Sequence, residues 1–498
     1  MKTPRFVLPA LGVAIAGVAL VHTITRAQDR VATPQPPPAH TAIRATPPVP
    51  TANPASTIFP HAPTVDHLPN GLTVISVPWD TPGIVAYYTV MRVGSRDEVE
   101  AGHSGFAHLF EHMMFRGTER FPEEVYERTI QSFGADNNAF TSNDYTCYTV
   151  TAPSTALPRI VELEADRFQH LQYDETQFRT ETGAVLGEYN KSAADPSMIM
   201  DETMSELAFS RHTYRHTVIG YLRDVRAMPG YYDYSRNFFR RFYTPDNATI
   251  VVVGDVQHAA LMELVRAQYS AWNTRRDSPR IPVEPEPRAG ASRHLDWDGS
   301  SPPRLWVAYR VPAFEAGNTP ARRQASLRET AALQVIHAYA FSQSSPLYQS
   351  LVVDQQKVLE LSSMSGSYTR DPGLFLIAAT LKPETDFPSI QTAMQNELSA
   401  IAAGRADAAR LEAVKSNLRY GLLMALETPD DVAGLIASIL SVTGDLASLD
   451  AYLSALASVT ADDVQHAART YLTDSRRFIV TLAPRATAQQ PVAAGAVP

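Results

Sequence analysis

His108-Leu109-Phe110-Glu111-His112 decides how this 498-residue chain is read. Two histidines four apart stack on one face of a helix, so both imidazoles can reach a single metal ion. Glu111, one residue before the second histidine, lies on the same broad face but offset. It is placed to meet the metal's water rather than the metal. Phe106, Leu109, Phe110, Met113 and Met114 would give this helix a dry, apolar surround. The helix is expected over about 105–115, with Ser104 as its N-cap and Gly117 as its stop.

A catalytic zinc needs three protein ligands and one open position. Downstream, Glu181-Thr182-Gly183-Ala184-Val185-Leu186-Gly187-Glu188 sets two carboxylates seven apart, on one helix face. Glu188 falls 76 residues (188 − 112) past His112. Gly183 and Gly187 are expected to let their helix approach the histidine helix closely.

H-x-x-E-H is the inverse of the commoner zinc-peptidase order H-E-x-x-H. With Glu188 at its spacing, with Asn138-Ala139-Phe140-Thr141-Ser142 followed by Asp144, Thr146 and Tyr148, and with Asn70-Gly71-Leu72-Thr73-Val74 and Asn247-Ala248-Thr249-Ile250-Val251-Val252-Val253-Gly254-Asp255 at either end, the chain resembles the pitrilysin/insulinase family of zinc peptidases from about residue 62 onward. The resemblance implies a zinc endopeptidase for short or unfolded peptides, with one Zn2+ per chain held by His108, His112 and Glu188. Glu111 becomes the general base that activates water, and Glu181 supports catalysis from behind the ligands. Asn138, Ala139, Phe140 and Thr141 match an edge strand that holds substrate as an added β-strand.

One departure stands out. Solitary family members carry an arginine and a tyrosine seven apart in the second domain; Val352 and Leu359 occupy those places here. Neither can donate a hydrogen bond to an oxyanion. That division resembles the two-subunit branch of the family, which includes mitochondrial processing peptidase. It implies a homologous partner subunit in a heterodimer, or otherwise a homodimer, with Tyr348, Tyr368 or Arg370 as the substitutes in a one-chain enzyme. The alternative function is then a metal-binding subunit with little activity unless paired.

The remaining sequence sets the organisation. Hydrophobic residues at 44 % and charged residues at 19 % fit a globular chain, and the balance of 43 − 52 = −9 argues against a nucleic-acid partner. Cys147 is the single cysteine, so no intrachain disulfide forms; it reads as a small core residue. Lys2 and Arg5, an apolar run over 6–21 and Thr25-Arg26-Ala27 predict a signal peptide over 1–27 and export to the periplasm, an uncleaved anchor being the alternative. A Pro-rich disordered tether follows over 28–61.

Strands are expected over 72–78, 84–93, 138–150 and 248–253, with helices near 123–133, 156–172, 175–191 and 231–242. Tyr243-Thr244-Pro245-Asp246 before Ile250-Val251-Val252 is echoed by Tyr471-Leu472-Thr473-Asp474 before Ile479-Val480, 228 residues on (471 − 243). The fold class is therefore α+β: two homologous domains, each a mostly antiparallel sheet packed with helices, arranged as a clamshell. They are a catalytic domain over 62–276 and its homologue over 304–486, joined by a linker over 277–303. A disordered tail follows over 487–498.

Overall fold

Strands dense in Val, Ile and Tyr build two sheets. Thr64–His67 (β1), Thr73–Pro78 (β2), Ile84–Met91 (β3), Asp136–Thr141 (β4), Thr146–Pro153 (β5) and Ala248–Gly254 (β6) lie in the order β1-β2-β6-β3-β5-β4. Ala291–Trp297 (β7), Arg304–Val311 (β8), Val358–Met364 (β9), Gly373–Leu381 (β10) and Arg477–Pro484 (β11) lie in the order β7-β11-β8-β10-β9. From β2 onward the two orders are the same. Each sheet has one parallel pair, β2/β6 and β7/β11, and is otherwise antiparallel. The echo at 228 residues is thus a repeated domain. The computed structural model describes residues 58–485 except Glu315, Asn318 and Ser367. The expected signal peptide, residues 28–57 of the tether expected over 28–61, and the tail over 487–498 lie outside the described residues; the tether's last four residues are described, and Phe59 among them is buried in the core rather than free.

Helices cover both sheets: Phe106–Met113 (α1), Glu123–Ser132 (α2), Leu157–His170 (α3), Glu175–Ser192 (α4), Pro196–Ala208 (α5), Leu222–Ala227 (α6), Tyr232–Phe242 (α7) and His258–Tyr269 (α8) in the first half. In the second they are Pro320–Phe341 (α9), Phe387–Ala402 (α10), Ala408–Met424 (α11), Pro429–Thr443 (α12), Ala447–Ser458 (α13) and Ala461–Tyr471 (α14). The halves exchange one helix each. α12 packs on β3 and β6 of the first sheet, and α5 packs on β7, β8 and β11 of the second. This is why β3 and β6 are buried on both faces, whereas burial alternates along β10, which is covered on one. Val90 and Val251 share one buried cluster with Ile436 and Leu440. Each such side chain contributes roughly 1.5–3 kcal/mol on burial.

Three local readings are corrected. The stretch 138–150 is a hairpin, β4 and β5, not one strand: Ser142 Oγ accepts from the backbone N–H of Asp144 at 3.2 Å and Tyr145 at 3.1 Å and closes the turn. The stretch 277–303 contains β7, a sheet edge whose side chains are largely exposed and polar, so it carries no apolar alternation. The part before β7 is pinned rather than free, because the Glu284 carboxylate accepts the backbone N–H groups of Ser210, Arg211 and His212 at 2.8, 2.7 and 2.8 Å. Gly183 and Gly187 do not serve close approach, since a Cβ at either would meet nothing within 4 Å.

Candidate metal centre

α1 is anchored from outside itself. Glu98, fully buried, accepts from the backbone N–H of Gly105 and of Ala107, both at 2.7 Å, and so caps the positive end of the helix. Burial pushes its carboxyl well above the ordinary range, against those amide bonds. Ser104, expected as the cap, instead donates to Asp224 at 2.6 Å and accepts from Tyr221 N–H at 2.9 Å. Gly105 has φ 92°, and a Cβ there would meet Ile219 O at 2.5 Å, so only glycine fits. Phe106, Leu109, Phe110, Met113 and Met114 are all fully buried, with Phe110 stacked on Phe238 at 5.2 Å. Packing from this side fixes which face of α1 looks outward.

That face carries His108, Glu111 and His112. α4 begins at a capping box of Asp174 and Gln177, and its Glu181 and Glu188 meet the histidines. The Nε2 atoms of His108 and His112 lie 3.6 and 3.5 Å from the same oxygen of Glu188. The three donor atoms all fall within 4.8 Å of one another. Ligands at about 2.1 Å around a tetrahedral zinc stand about 3.4 Å apart, so two nitrogens and one oxygen at this spacing fit such an ion.

Glu181 is buried behind the ligands and does not line the chamber. One oxygen lies 3.4 Å from His112 Nδ1 and the other pairs with Arg116, which also holds Glu123 at 2.8 Å. Burial disfavours charge on His112, but Glu181 and Glu188 outweigh it and hold the metal-free imidazole up at about 10. His108 has no carboxylate on its Nδ1, and burial pushes it down against the opposing pull of Glu111 and Glu188. Glu111 accepts a hydrogen bond from Thr141 Oγ1 at 2.7 Å.

The site opens on a cavity of about 800 Å³. His108, Glu111, Glu188 and the β4 residues Asn138, Ala139, Phe140 and Thr141 line one side, and Trp306, Met364, Leu374 and Leu376 of the second half line another. β4 is the last strand of its sheet, so among the described residues its outer edge has no strand partner. Asn138 pairs with Thr149 in the β4/β5 ladder, so it is part of the strand rather than a turn, and its Oδ1 accepts from Ala139 N–H at 2.9 Å.

Val352 and Leu359 do not line the cavity, and Leu359 is 51 % exposed. Tyr348 and Arg370 do not line it either. Tyr368 does, with its hydroxyl bonded to Tyr452. Sequence reasoning missed Glu98, Tyr214, His216 and Thr217, whose positions follow from long-range packing and carry no periodic signal. Cys147 is buried in the core as expected, and burial raises its thiol.

The chain matches the family described as Insulinase (Peptidase family M16) over residues 81–220, and Peptidase M16 inactive domain over residues 232–418. It is similar to the zinc protease PqqE of Helicobacter pylori, 27 % identical over 429 residues that cover 84 % of this chain and 92 % of that protein. An uncharacterized zinc protease of Streptomyces coelicolor is 26 % identical over 411 residues, 81 % of this chain and 86 % of the relative. The crystal structure of a protease from Helicobacter pylori superposes with a TM-score of 0.78 at 27 % identity, over 85 % of this chain and all of that one. The periplasmic protease PqqL from Escherichia coli shares the fold, with a TM-score of 0.69 at 20 % identity over 85 % of this chain and 48 % of its own. Two-domain architecture, inverted motif and both matches agree: the chain belongs to peptidase family M16, the insulinase family.

Proposed function

We propose that the chain is a zinc-dependent endopeptidase that hydrolyses short or unfolded peptides held as an added strand along β4. The observation that carries this reading is the convergence of His108, His112 and Glu188 beside Glu111, on the wall of a peptide-sized cavity bordered by an unpaired strand edge. These three residues would hold the ion, which when bound supplies Lewis-acid chemistry that acidifies water and polarises a carbonyl. Glu111 acts as general base: its carboxylate takes a proton from the attacking water and delivers it to the leaving amine nitrogen. The Thr141 hydroxyl holds that carboxylate in place. Glu181, itself fixed by Arg116, orients His112. The free edge of β4 offers backbone hydrogen bonds that read an extended chain with little regard to its side chains. We further read the chain as exported to the periplasm, from the basic and apolar residues over 2–21 and the small residues over 25–27. Metal analysis of the purified protein should give one zinc per chain, with His108→Ala and Glu188→Gln depleted; wild-type zinc in either variant would remove the assignment.

A second reading, that full activity needs a homologous partner chain in a heterodimer, is favoured by one observation. No arginine lines the chamber among the described residues, and the second-half wall is mainly apolar. Donors for the developing oxyanion would then come from the partner.

A further inference from the structure

Lys191 is the one lysine or arginine on the chamber wall among the described residues. It stands in the last turn of α4, three residues past Glu188, so the two side chains share a helix face. At a rise of about 1.5 Å per residue, it starts about 4.5 Å along the axis from the metal ligand. Lys191 is exposed, and the wall runs on from it through Ser192 and Asp195 to Ser197. Ser197 accepts from Arg304 of β8 at 2.6 Å, so Lys191 lies between the metal centre and the apolar wall of the second half.

No carboxylate neutralises this ammonium, which makes no ion pair among the described residues. Glu188 faces His108 and His112, and Glu111 is held by Thr141. Asp195 caps α5, accepting the Ser197 N–H at 2.8 Å. Asp201, on the same wall, is pushed up to about 7 by burial and by Glu202, without any influence from Lys191. Lys191 does act on Glu188 through space. Hydrogen bonding to His112 holds that carboxyl below its ordinary range against burial, and the charges of His108, His112 and Lys191 add to the effect. A metal ion would take up the charge of Glu188 and leave Lys191 on the wall without a counter-charge.

We propose that Lys191 is a subsite for a carboxylate of the bound peptide, an Asp or Glu side chain or the free C-terminus, close to the bond that is cut. An extended peptide advances about 3.4 Å per residue, so a carboxylate within about three residues of that bond comes within reach of the ammonium. The subsite rests on the peptidase reading and deepens it. It supplies a preference among peptides, which the edge of β4, reading main chain alone, does not. A lysine near the end of a helix also suits the helix dipole, but that role acts on stability and not on the choice of peptide.

The test measures binding, not turnover. A fluorescent peptide without charged groups, acetylated and amidated, is compared with versions that carry one Glu at each successive position, and with one that has a free C-terminus. In zinc-loaded Glu111→Gln protein, one or more of the charged peptides should bind about two- to fivefold tighter than the neutral parent, the worth of a partly exposed ion pair. High salt should remove the advantage. Adding Lys191→Gln should bring the ratio of the two Kd values to about one, with zinc content unchanged, and Lys191→Arg should keep it. An advantage confined to Glu peptides assigns the subsite to a side chain, and one confined to the free C-terminus assigns it to the chain end. Equal Kd for all peptides, or an advantage that survives Lys191→Gln, overturns the proposal. A lowered melting temperature of Lys191→Gln with the advantage intact overturns it too, leaving the lysine as a partner of the helix end. Zinc-loaded Glu111→Gln protein that binds none of the peptides removes the underlying peptidase reading instead.

Discussion

Replacing Glu181 by Gln probes how the centre is held. The carboxylate is 4 % exposed, with one oxygen 3.4 Å from His112 Nδ1 and the other on Arg116. Glutamine has a single acceptor. It must leave the Nδ1–H of His112 without one or turn its NH2 toward the guanidinium of Arg116. Either choice loosens the ring that presents Nε2 to the metal. The lost carboxylate had also favoured a proton on His112, but its field acts on a divalent ion with twice the charge, so metal binding loses more than proton binding. Groups that orient metal ligands are typically worth ten- to a hundredfold in affinity. That is about 1.4–2.7 kcal/mol, the range expected for one buried hydrogen bond to a charged group. The assay is competitive zinc titration against a chelating dye at pH 7.5, with circular dichroism as a check on folding. A Kd for Glu181→Gln within twofold of wild type, with Arg116 left unaltered, would refute this account of Glu181.

Two further outcomes are expected. Asp371 joins the halves through Arg96 and lies 3.2 Å from His212 Nε2; burial raises its carboxyl, but His212 and Arg96 outweigh that and hold it at about 2, below its ordinary 3.8. A lowered carboxyl stabilises the fold fully above its ordinary pKa and loses that contribution as pH falls through its folded value. The pair should therefore contribute about 2 kcal/mol above pH 5, lost between about pH 4 and 2. Urea unfolding should show wild type losing stability more steeply than Asp371→Asn below pH 4.5, and parallel curves would count against the latch. Separately, a homologous chain bearing Arg and Tyr, added to this one, should raise turnover of a quenched peptide by a factor on the order of a hundred or more; an isolated chain that is fully active and indifferent to the addition would dismiss the partner.

The parts of the fold that were legible in the sequence are those set by local chemistry. The 3.6-residue period of the apolar residues around His108 reveals which face of α1 is buried, and with it which side chains are free to ligate. The seven-residue spacing of Glu181 and Glu188 needs only helical geometry. The 228-residue echo works because Tyr243 and Tyr471 each end a helix that precedes a core strand, and the two sheets repeat one strand order. What escaped is set by partners distant in the chain. Glu98 caps α1 from outside the helix, so the nearer Ser104 looked the better candidate. β7 is polar because it is an edge, and only its register with β11 makes it a strand. The β4–β5 turn did leave a signal, Ser142-Asn143-Asp144, which the unbroken run of β-formers around it obscured. The chamber's far wall, Trp306, Leu374 and Leu376, comes from the second half, and no local pattern of sequence tells which strand of one domain will face the other.

The most direct measurement compares zinc content and peptide turnover in wild-type protein and Glu111→Gln. The account predicts one zinc in each, with turnover in the variant lower by a factor of about a hundred to ten thousand, because the metal ligands are intact and only the proton carrier is gone. A zinc-loaded Glu111→Gln protein that cuts peptides at the wild-type rate would contradict it.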